Sequence, residues 1–260
     1  MCINNIYKQK RRIKMRKFTK IFSVLLVLTL LVGSLASCDK GKKATKLIGR
    51  ADEALAEQAY TAEVRVEYDS NDENMLAAIQ SFSRPSIKVH VDGEKFMARM
   101  DLKHGSDANY IIYTCVDGTL YTEWCEDGAT HKASSAFSDE DKASLRDSFG
   151  EAANIGVEDF DDISVKSLGK VDVITCTGIK DAPLDALVAS LEEQLSSLGA
   201  DVAIKDATLA IEIDNDRYNV IILTCEYFIT TVTDSYSIKM TYSTKFTYEK
   251  ELEIVAPALD

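Results

Sequence analysis

The stretch from Tyr236 to Tyr248 alternates without a break. Tyr236, Ile238, Met240, Tyr242, Thr244, Phe246 and Tyr248 hold one parity; Ser237, Lys239, Thr241, Ser243, Lys245 and Thr247 hold the other. Successive side chains of a β-strand point to opposite faces, so a period of two predicts a long strand with one face on a core and one in water. A helix would scatter the same positions around its circumference. "YTAEVRVEY" (60–68) repeats the pattern, with Ala62, Val64, Val66 and Tyr68 against Glu63, Arg65 and Glu67. The chain therefore builds on a sheet with an apolar side.

Turn chemistry predicts how the strands connect. "IKVHV", Asp92-Gly93 and "EKFMARMDL" read as one hairpin, and Asp117-Gly118 centres another within "YIIYTCVDGTLYTEWC". A third folds "ATLAIEIDNDRYNVIILTCEYFITT" around Asp214–Arg217, and "VDVITCTGI" (171–179) is a further strand. Hairpins make the sheet antiparallel. The second hairpin is apolar on both sides: Ile111, Tyr113, Leu120 and Trp124 on one, Ile112, Val116 and Tyr121 on the other. A strand of that kind is covered on both sides.

Helical spacing marks four segments. Leu47, Ile48, Ala51, Leu55 and Ala59 recur between Thr45 and Tyr60; Met75, Leu76, Ile79 and Phe82 share a face that ends before Pro85. Ser138 caps a third, with Asp139, Glu140 and Asp141 at its positive end and Leu145 and Phe149 as its stripe. The fourth starts at Pro183, aligns Leu184, Leu187, Val188, Leu191, Leu195 and Leu198, and closes at Gly199.

The leader is of another kind. Residues 1–37 carry eight Lys/Arg and no acid, and an apolar run from Ile21 to Gly33 is broken only by Ser23 and Thr29. That run is shorter than the ~20 residues that span a bilayer, and the whole has the parts of a secretory signal. Met15 offers a second, more compact start. Leu35-Ala36-Ser37-Cys38 follows. It resembles the bacterial lipobox, which implies cleavage before Cys38, acylation of its sulfur, and a chain held at the cell membrane facing away from the cytoplasm. Two or more acyl chains anchor stably where one does not. The alternatives are a plain secretory signal and an uncleaved anchor. The boundaries that follow are signal 1–37, a short polar tether 38–44, and one domain 45–260.

Without the leader, the 30 Lys/Arg fall to 22 against 42 Asp/Glu, and the formal charge moves from −12 to −20. Such a surface repels phosphate backbones, so no nucleic-acid partner is expected. Four cysteines remain: Cys115, Cys125, Cys176 and Cys225. In a two-residue turn Cys115 faces Leu120 and Cys125 faces Tyr110, so the two point to opposite sides and do not pair. That leaves Cys176–Cys225, or four free thiols, as the open readings.

A helix after a lipobox, then long antiparallel strands with helices between them, resembles the LolA/LolB-like fold and its LppX/LprG-like lipoprotein group. The resemblance implies an α+β fold: a curved antiparallel sheet forming an open half-barrel, with amphipathic helices on its concave face and space there for a lipid or acyl chain. Met adapts to irregular partners and Tyr pairs an apolar body with a polar tip. Phe96, Met100, Tyr236, Met240, Tyr242 and Phe246, facing Leu187 and Leu191, are the expected acyl-chain wall. They serve equally as a packed core, in which case the chain is a non-enzymatic interaction module whose protein partner is unknown.

Catalytic and metal-binding patterns are missing, and no cofactor is expected. His90, His104 and His131 lie far apart and read as solvated surface residues. Ser167 and Lys170 have S-x-x-K spacing but sit at a Gly turn. "EDFDD" (158–162) and "DNDR" (214–217) lack the spacing of a calcium loop and read as solvated turns. An envelope hydrolase is the least supported reading.

Overall fold

The computed structural model describes residues 39–73, 76–77, 86–104, 107–126, 128–138, 156–185, 201–230 and 234–258. Outside them lie the leader, Cys38, Leu187, Leu191, the helix after Ser138, and most of the one expected at 75–82.

Helix α1 (Asp39–Glu57) opens the described chain. The strands are β1 (Ala59–Ser70), β2 (Ser86–Asp92), β3 (Lys95–His104), β4 (Asp107–Val116), β5 (Thr119–Glu126), β6 (Ala129–Ala136), β7 (Phe160–Leu168), β8 (Val171–Ile179), β9 (Asp201–Asp214), β10 (Arg217–Thr230) and β11 (Ser235–Glu249). They form one open sheet in the order β6-β5-β4-β3-β2-β1-β11-β10-β9-β8-β7. Every neighbouring pair is antiparallel. Two meanders, β1–β6 and β7–β11, thus join along β1 and β11, and β6 and β7 are the free edges. The β9–β10 ladder shifts register twice, with Asn219 as the extra residue on β10 between Tyr218 and Val220 and Lys205 as the extra residue on β9 opposite Glu226 and Tyr227.

The turns follow their residues. Asp117 and Gly118 both take positive φ (51° and 72°), as a two-residue hairpin turn with right-handed strands requires. Val116 pairs with Thr119 and Cys115 with Leu120, the expected register. Asn215 and Asp216 do the same between β9 and β10. The first hairpin differs: Asp92 pairs with Lys95, so the turn is Gly93-Glu94 and not Asp92-Gly93. The register moves by an even step, so Val91, Val89 and Ile87 still share a face with Phe96, Ala98 and Met100.

One line of partners crosses all eleven strands. It runs Val165, Ile174, Ile211, Ile221, Thr244, Val64, Ile87, Met100, Ile111, Trp124, His131. Its central members are buried aliphatics, with Thr244 as the polar exception. This is the apolar face that the alternation predicts.

α1 packs against β7, β9 and β10. Ala44, Leu47, Ile48 and Ala51 form its buried stripe at the i, i+3, i+4, i+7 spacing of an amphipathic helix. Burying Leu47 and Ile48 contributes roughly 1.5–3 kcal/mol each. The helix starts at Asp39 rather than Thr45, so residues 39–44, expected as a polar tether, are its first turns, and Ala44 is part of the stripe. Tyr218 Oη donates to Asp52 Oδ1 at 2.7 Å, tying helix to sheet.

The C-terminal segment is a strap. Leu252 N–H donates to Asp92 Oδ2 at 3.1 Å on β2, and Lys132 Nζ on β6 donates to the Ala258 carbonyl at 2.9 Å. Between those anchors Ile254 is buried. Asp92 and Lys132 lie on the face opposite Met100. On that face Thr114 is buried and Met97, Ile112 and Tyr121 are half-buried. The second covering that this hairpin demands is thus explained on one side by an extended segment without regular structure.

Two strands have no sequence expectation behind them. β6 ("ATHKASSA") is exposed at all eight positions, and β7 gives the core only Phe160 at its start and the half-buried Ile163 and Val165. Edge strands need no apolar period. None of Cys115, Cys125, Cys176 and Cys225 forms a disulfide. Cys176 pairs with Leu209 on β9, and Cys225 lies on β10. Two strand spacings, roughly 10 Å, separate their backbones, beyond the ~7 Å a disulfide tolerates. The Cys176–Cys225 pairing is therefore corrected to free thiols.

Candidate functional site

The alternation of β11 places Tyr236, Met240, Tyr242 and Phe246 on the apolar face. Phe96 and Met100 of β3 join them there through the registers of β2 and β1. The expected wall is one face, but it is not one site. Phe96 lies level with Tyr248, twelve residues of β11 from Tyr236, roughly 40 Å at strand rise. Phe96 meets Phe137 edge-on at 6.1 Å. Met100 is fully buried, three strands from Thr244 along the sheet-wide row.

Phe246 belongs to a cluster at the α1 end. Its ring lies 6.1 Å from Tyr60 and 5.6 Å from Tyr218, while Tyr60 lies 6.3 Å from Tyr248. Burial pushes the Tyr60 phenol up to about 12. It also raises the Asp52 carboxyl above its ordinary 3.8, against the opposing pull of its Tyr218 hydrogen bond. Arg217 caps the cluster from above the Tyr248 ring at 5.3 Å.

Met240 and Tyr242 belong to a second cluster. Met240 pairs with Tyr68 on β1 and with Cys225 on β10; Tyr242 pairs with Val66 and Leu223. Tyr227 stands two residues beyond Cys225 on the same face and leans back over it, so that Tyr227, Tyr242, Tyr68 and Cys225 feel one another electrostatically. β2 ends level with Arg65, so Val66 and Tyr68 extend past it. Burial drives the Tyr227 and Tyr242 phenols far above the ordinary phenol range. It pushes the Cys225 thiol up to about 12, so that sulfur stays protonated and unreactive.

Among the described residues, three buried side-chain oxygens on this face have no hydrogen-bond partner: Tyr227 Oη, Thr244 Oγ1 and Tyr248 Oη. Tyr227 Oη approaches Tyr242, and Tyr248 Oη the Tyr218 backbone, without the geometry of a hydrogen bond. A buried hydroxyl left unpaired costs ~1–3 kcal/mol, and native proteins fill such positions with protein, water or ligand. Sequence reasoning found Met240 and Tyr242. It missed Tyr227, although Leu223, Cys225 and Tyr227 share one parity. Tyr68 and Thr244 stood on the inward parity without being singled out.

The histidine expectations change in one place. His90 Nδ1 lies 2.9 Å from Thr61 Oγ1, which donates to Glu249 at 3.3 Å. His90 is half-buried in that network on the polar face, and its pKa is lowered by burial and then by Lys88. His131 is exposed and stacks on Trp124 at 5.2 Å. "EDFDD" is not a solvated turn throughout: Val157–Asp159 is a 3-10 turn and Phe160 starts β7. Among the described residues no group of His, Cys, Asp or Glu is placed to hold a metal ion, and no helix is long and apolar enough to cross a membrane.

No family model matches the chain. No curated protein matches it either. Among solved structures, the chain is similar to LprF from Mycobacterium bovis at 13% identity, over 84% of this chain and 98% of that one, with a TM-score of 0.36. It is similar to the ywiB protein from Bacillus subtilis at 9% identity, over 73% and 96%, with a TM-score of 0.17.

Proposed function

We propose that this chain is an exported lipoprotein, anchored in the cell membrane through an acylated Cys38, which holds a lipid or acyl chain on the apolar face of its sheet. It acts by burial and release rather than by chemistry, as a carrier or chaperone in the envelope. The observation that carries this reading is the cluster around Met240: a Met among Tyr68, Tyr227 and Tyr242 on the apolar face, with Tyr227 Oη and, farther along β11, Thr244 Oγ1 buried without a hydrogen-bond partner. The lipobox supports the anchor. Burial gains roughly 0.8 kcal/mol per methylene, so about ten methylenes supply the gross energy of micromolar binding.

The test is extraction. The full chain, purified from cells that process its leader, is extracted with organic solvent and the extract is weighed by mass spectrometry. A lipid at near one per chain is expected; a chain that carries none, in every host tried, ends the reading. Labelled palmitate incorporation into the wild type, lost in Cys38→Ser, checks the anchor separately.

A second reading is a protein-interaction module that presents a strand edge. The exposure of β6 over its whole length, at a free edge of the sheet, favours it. Cross-linking in intact envelopes that traps one stoichiometric protein on β6, with no lipid in the extract, would select it.

A further inference from the structure

Cys38 immediately precedes α1, so no leash separates an acyl anchor there from the folded domain. On the premise, taken from the lipoprotein reading, that Cys38 carries that anchor, the first turns of α1 lie at the membrane surface. Asp39 to Lys43 is about 6 Å of helix rise. At Lys43 the helix meets the sheet: its Nζ donates to Ser167 Oγ at 3.0 Å and lies 3.9 Å from Asp172 Oδ1. Directly beyond, the two-residue turn Gly169-Lys170 closes β7 and β8, with Gly169 at φ 69°. Asn215 N–H donates to the Lys170 carbonyl at 3.4 Å and joins this turn to the β9–β10 turn. An anchored α1 thus carries the β7–β8 turn close to the Debye length of the headgroups, ~10 Å at 0.1 M salt.

The side chains there suit such a surface. Residues 39–46 and 163–172 hold six Lys and two Asp. Taking these from the 22 Lys/Arg and 42 Asp/Glu of residues 38–260 leaves 16 and 40 for the rest. Lys42, Lys46, Lys166 and Lys170 are exposed, and Asp172 is turned to Lys43 and Ser167. Asp214 and Asp216 border the patch, and Arg50 holds Asp216 at 3.0 Å. Leu168 stands among the lysines and is 55% exposed. A lone exposed Leu is ordinary; ringed by lysines at the anchored end, it has a use. Anionic lipid repels an acidic body and attracts juxtamembrane lysines, so a domain held at the membrane turns its cationic end toward it. Lysine stems lie along an interface with their ammonium groups at the phosphates. We propose that the first turns of α1 and the β7–β8 turn form a membrane-contact surface, in which Lys42, Lys43, Lys46, Lys166 and Lys170 meet anionic headgroups and Leu168 enters the apolar boundary beneath them. The anchor sets the distance to the membrane, and this surface sets the orientation.

The test uses the full chain, processed in cells and reconstituted in vesicles of brominated phosphatidylcholine, alone or with phosphatidylglycerol. Trp124 is the one Trp of the chain, so Trp124→Phe gives a Trp-free background for a reporter. Bromine on the acyl chains quenches a Trp that reaches their boundary. With phosphatidylglycerol present, Leu168→Trp is expected to lose at least half its emission. Val255→Trp, at an exposed position on the strap, should lose little. Lys166→Glu with Lys170→Glu should lower the quenching at least twofold. Salt at about 0.5 M, where the Debye length is about 4 Å, should do the same. If Leu168→Trp is quenched no more than Val255→Trp, or if its quenching ignores both charge reversal and salt, the surface is overturned. The anchor then still stands, because the chain floats with the vesicles. A turn that faces water or a protein partner gives this same result. A chain that does not float with the vesicles overturns the anchor, and the surface with it. Thermal melting controls for folding and should be unchanged at so exposed a position. If Leu168→Trp melts early, Lys170→Trp carries the same expectation and the same overturning result.

Discussion

The two meanders of the sheet solve the same problem differently. In β7–β11 the long strands β9, β10 and β11 alternate, with β9 and β10 each changing parity once at a register shift, their apolar side is closed by buried Ile174, Leu209, Ile211, Ile213, Ile221 and Leu223, and α1 lies on β7, β9 and β10. In β2–β6 the strands are shorter, β4 and β5 carry apolar groups on both sides, and a strap without hydrogen-bonded periodicity covers the second side. A one-sided strand needs one cover, and a helix is efficient. A two-sided strand needs two, and seven residues of extended chain, Leu252 to Ala258, suffice for the lesser one. The difference shows that covering, rather than pairing, separates the halves, because the ladders themselves are continuous from β6 to β7.

That comparison is breakable by substitution. The largest effect is expected for Ile174→Ala, deep under the α1-covered half, at about 2–5 kcal/mol in denaturant unfolding. Ile112→Ala, half-buried on the strapped side, should cost about 1–2 kcal/mol. The reverse order would mean that the strap, not α1, closes the tighter core. Next comes Ile254→Asp, expected to cost about 2–3 kcal/mol by placing a charge under the strap. Its hydrogen exchange should quicken in β3–β5 and stay unchanged in β9 and β10; acceleration in both halves would show one cooperative unit instead of two differently covered ones.

A smaller effect tests the α1 tie. The folded Asp52 carboxyl titrates above its ordinary 3.8. Its proton is held more tightly folded than unfolded, so this group favours the fold at low pH. That contribution is lost as pH rises from 3.8 through the folded value, and the penalty persists above it. Asp52→Asn keeps an acceptor for Tyr218 Oη. It should flatten stability against pH across that window and leave the variant no less stable than wild type at neutral pH. A steeper profile would show that the carboxylate is needed charged. The smallest effect belongs to Arg50→Ala. The Arg50–Asp216 pair is 3.0 Å long but exposed on both sides. Exposed pairs contribute about 0–1 kcal/mol, so its loss should barely move the denaturation midpoint.

Much of this was legible where the physics is local. The parity of β1 and β11 named the buried side of each, residue by residue. Asp117-Gly118 fixed the register that sets Cys115 opposite Leu120. Asn215-Asp216 fixed the β9–β10 turn. Legibility failed where local patterns are weak or partners are remote. β6 escaped because an exposed edge strand carries no apolar period, and β7 because its few apolar residues sit among acids. Cys176 and Cys225 looked pairable until the order β8-β9-β10 put a whole strand between them. The wall residues shared a face in sequence, yet Phe96, Phe246 and Tyr242 fall in separate clusters, because parity gives the side of a strand and not the distance across it.

The sequence by itself determined which residues turn inward and where the chain reverses, since both depend on the backbone geometry of a few consecutive residues. Only the tertiary structure decided the strand order, the free edges, the strap over β3–β5, and the meeting of Tyr227 with Tyr242 above Met240. Those follow from contacts between segments far apart in the chain, whose energies depend on what each surface finds to cover it.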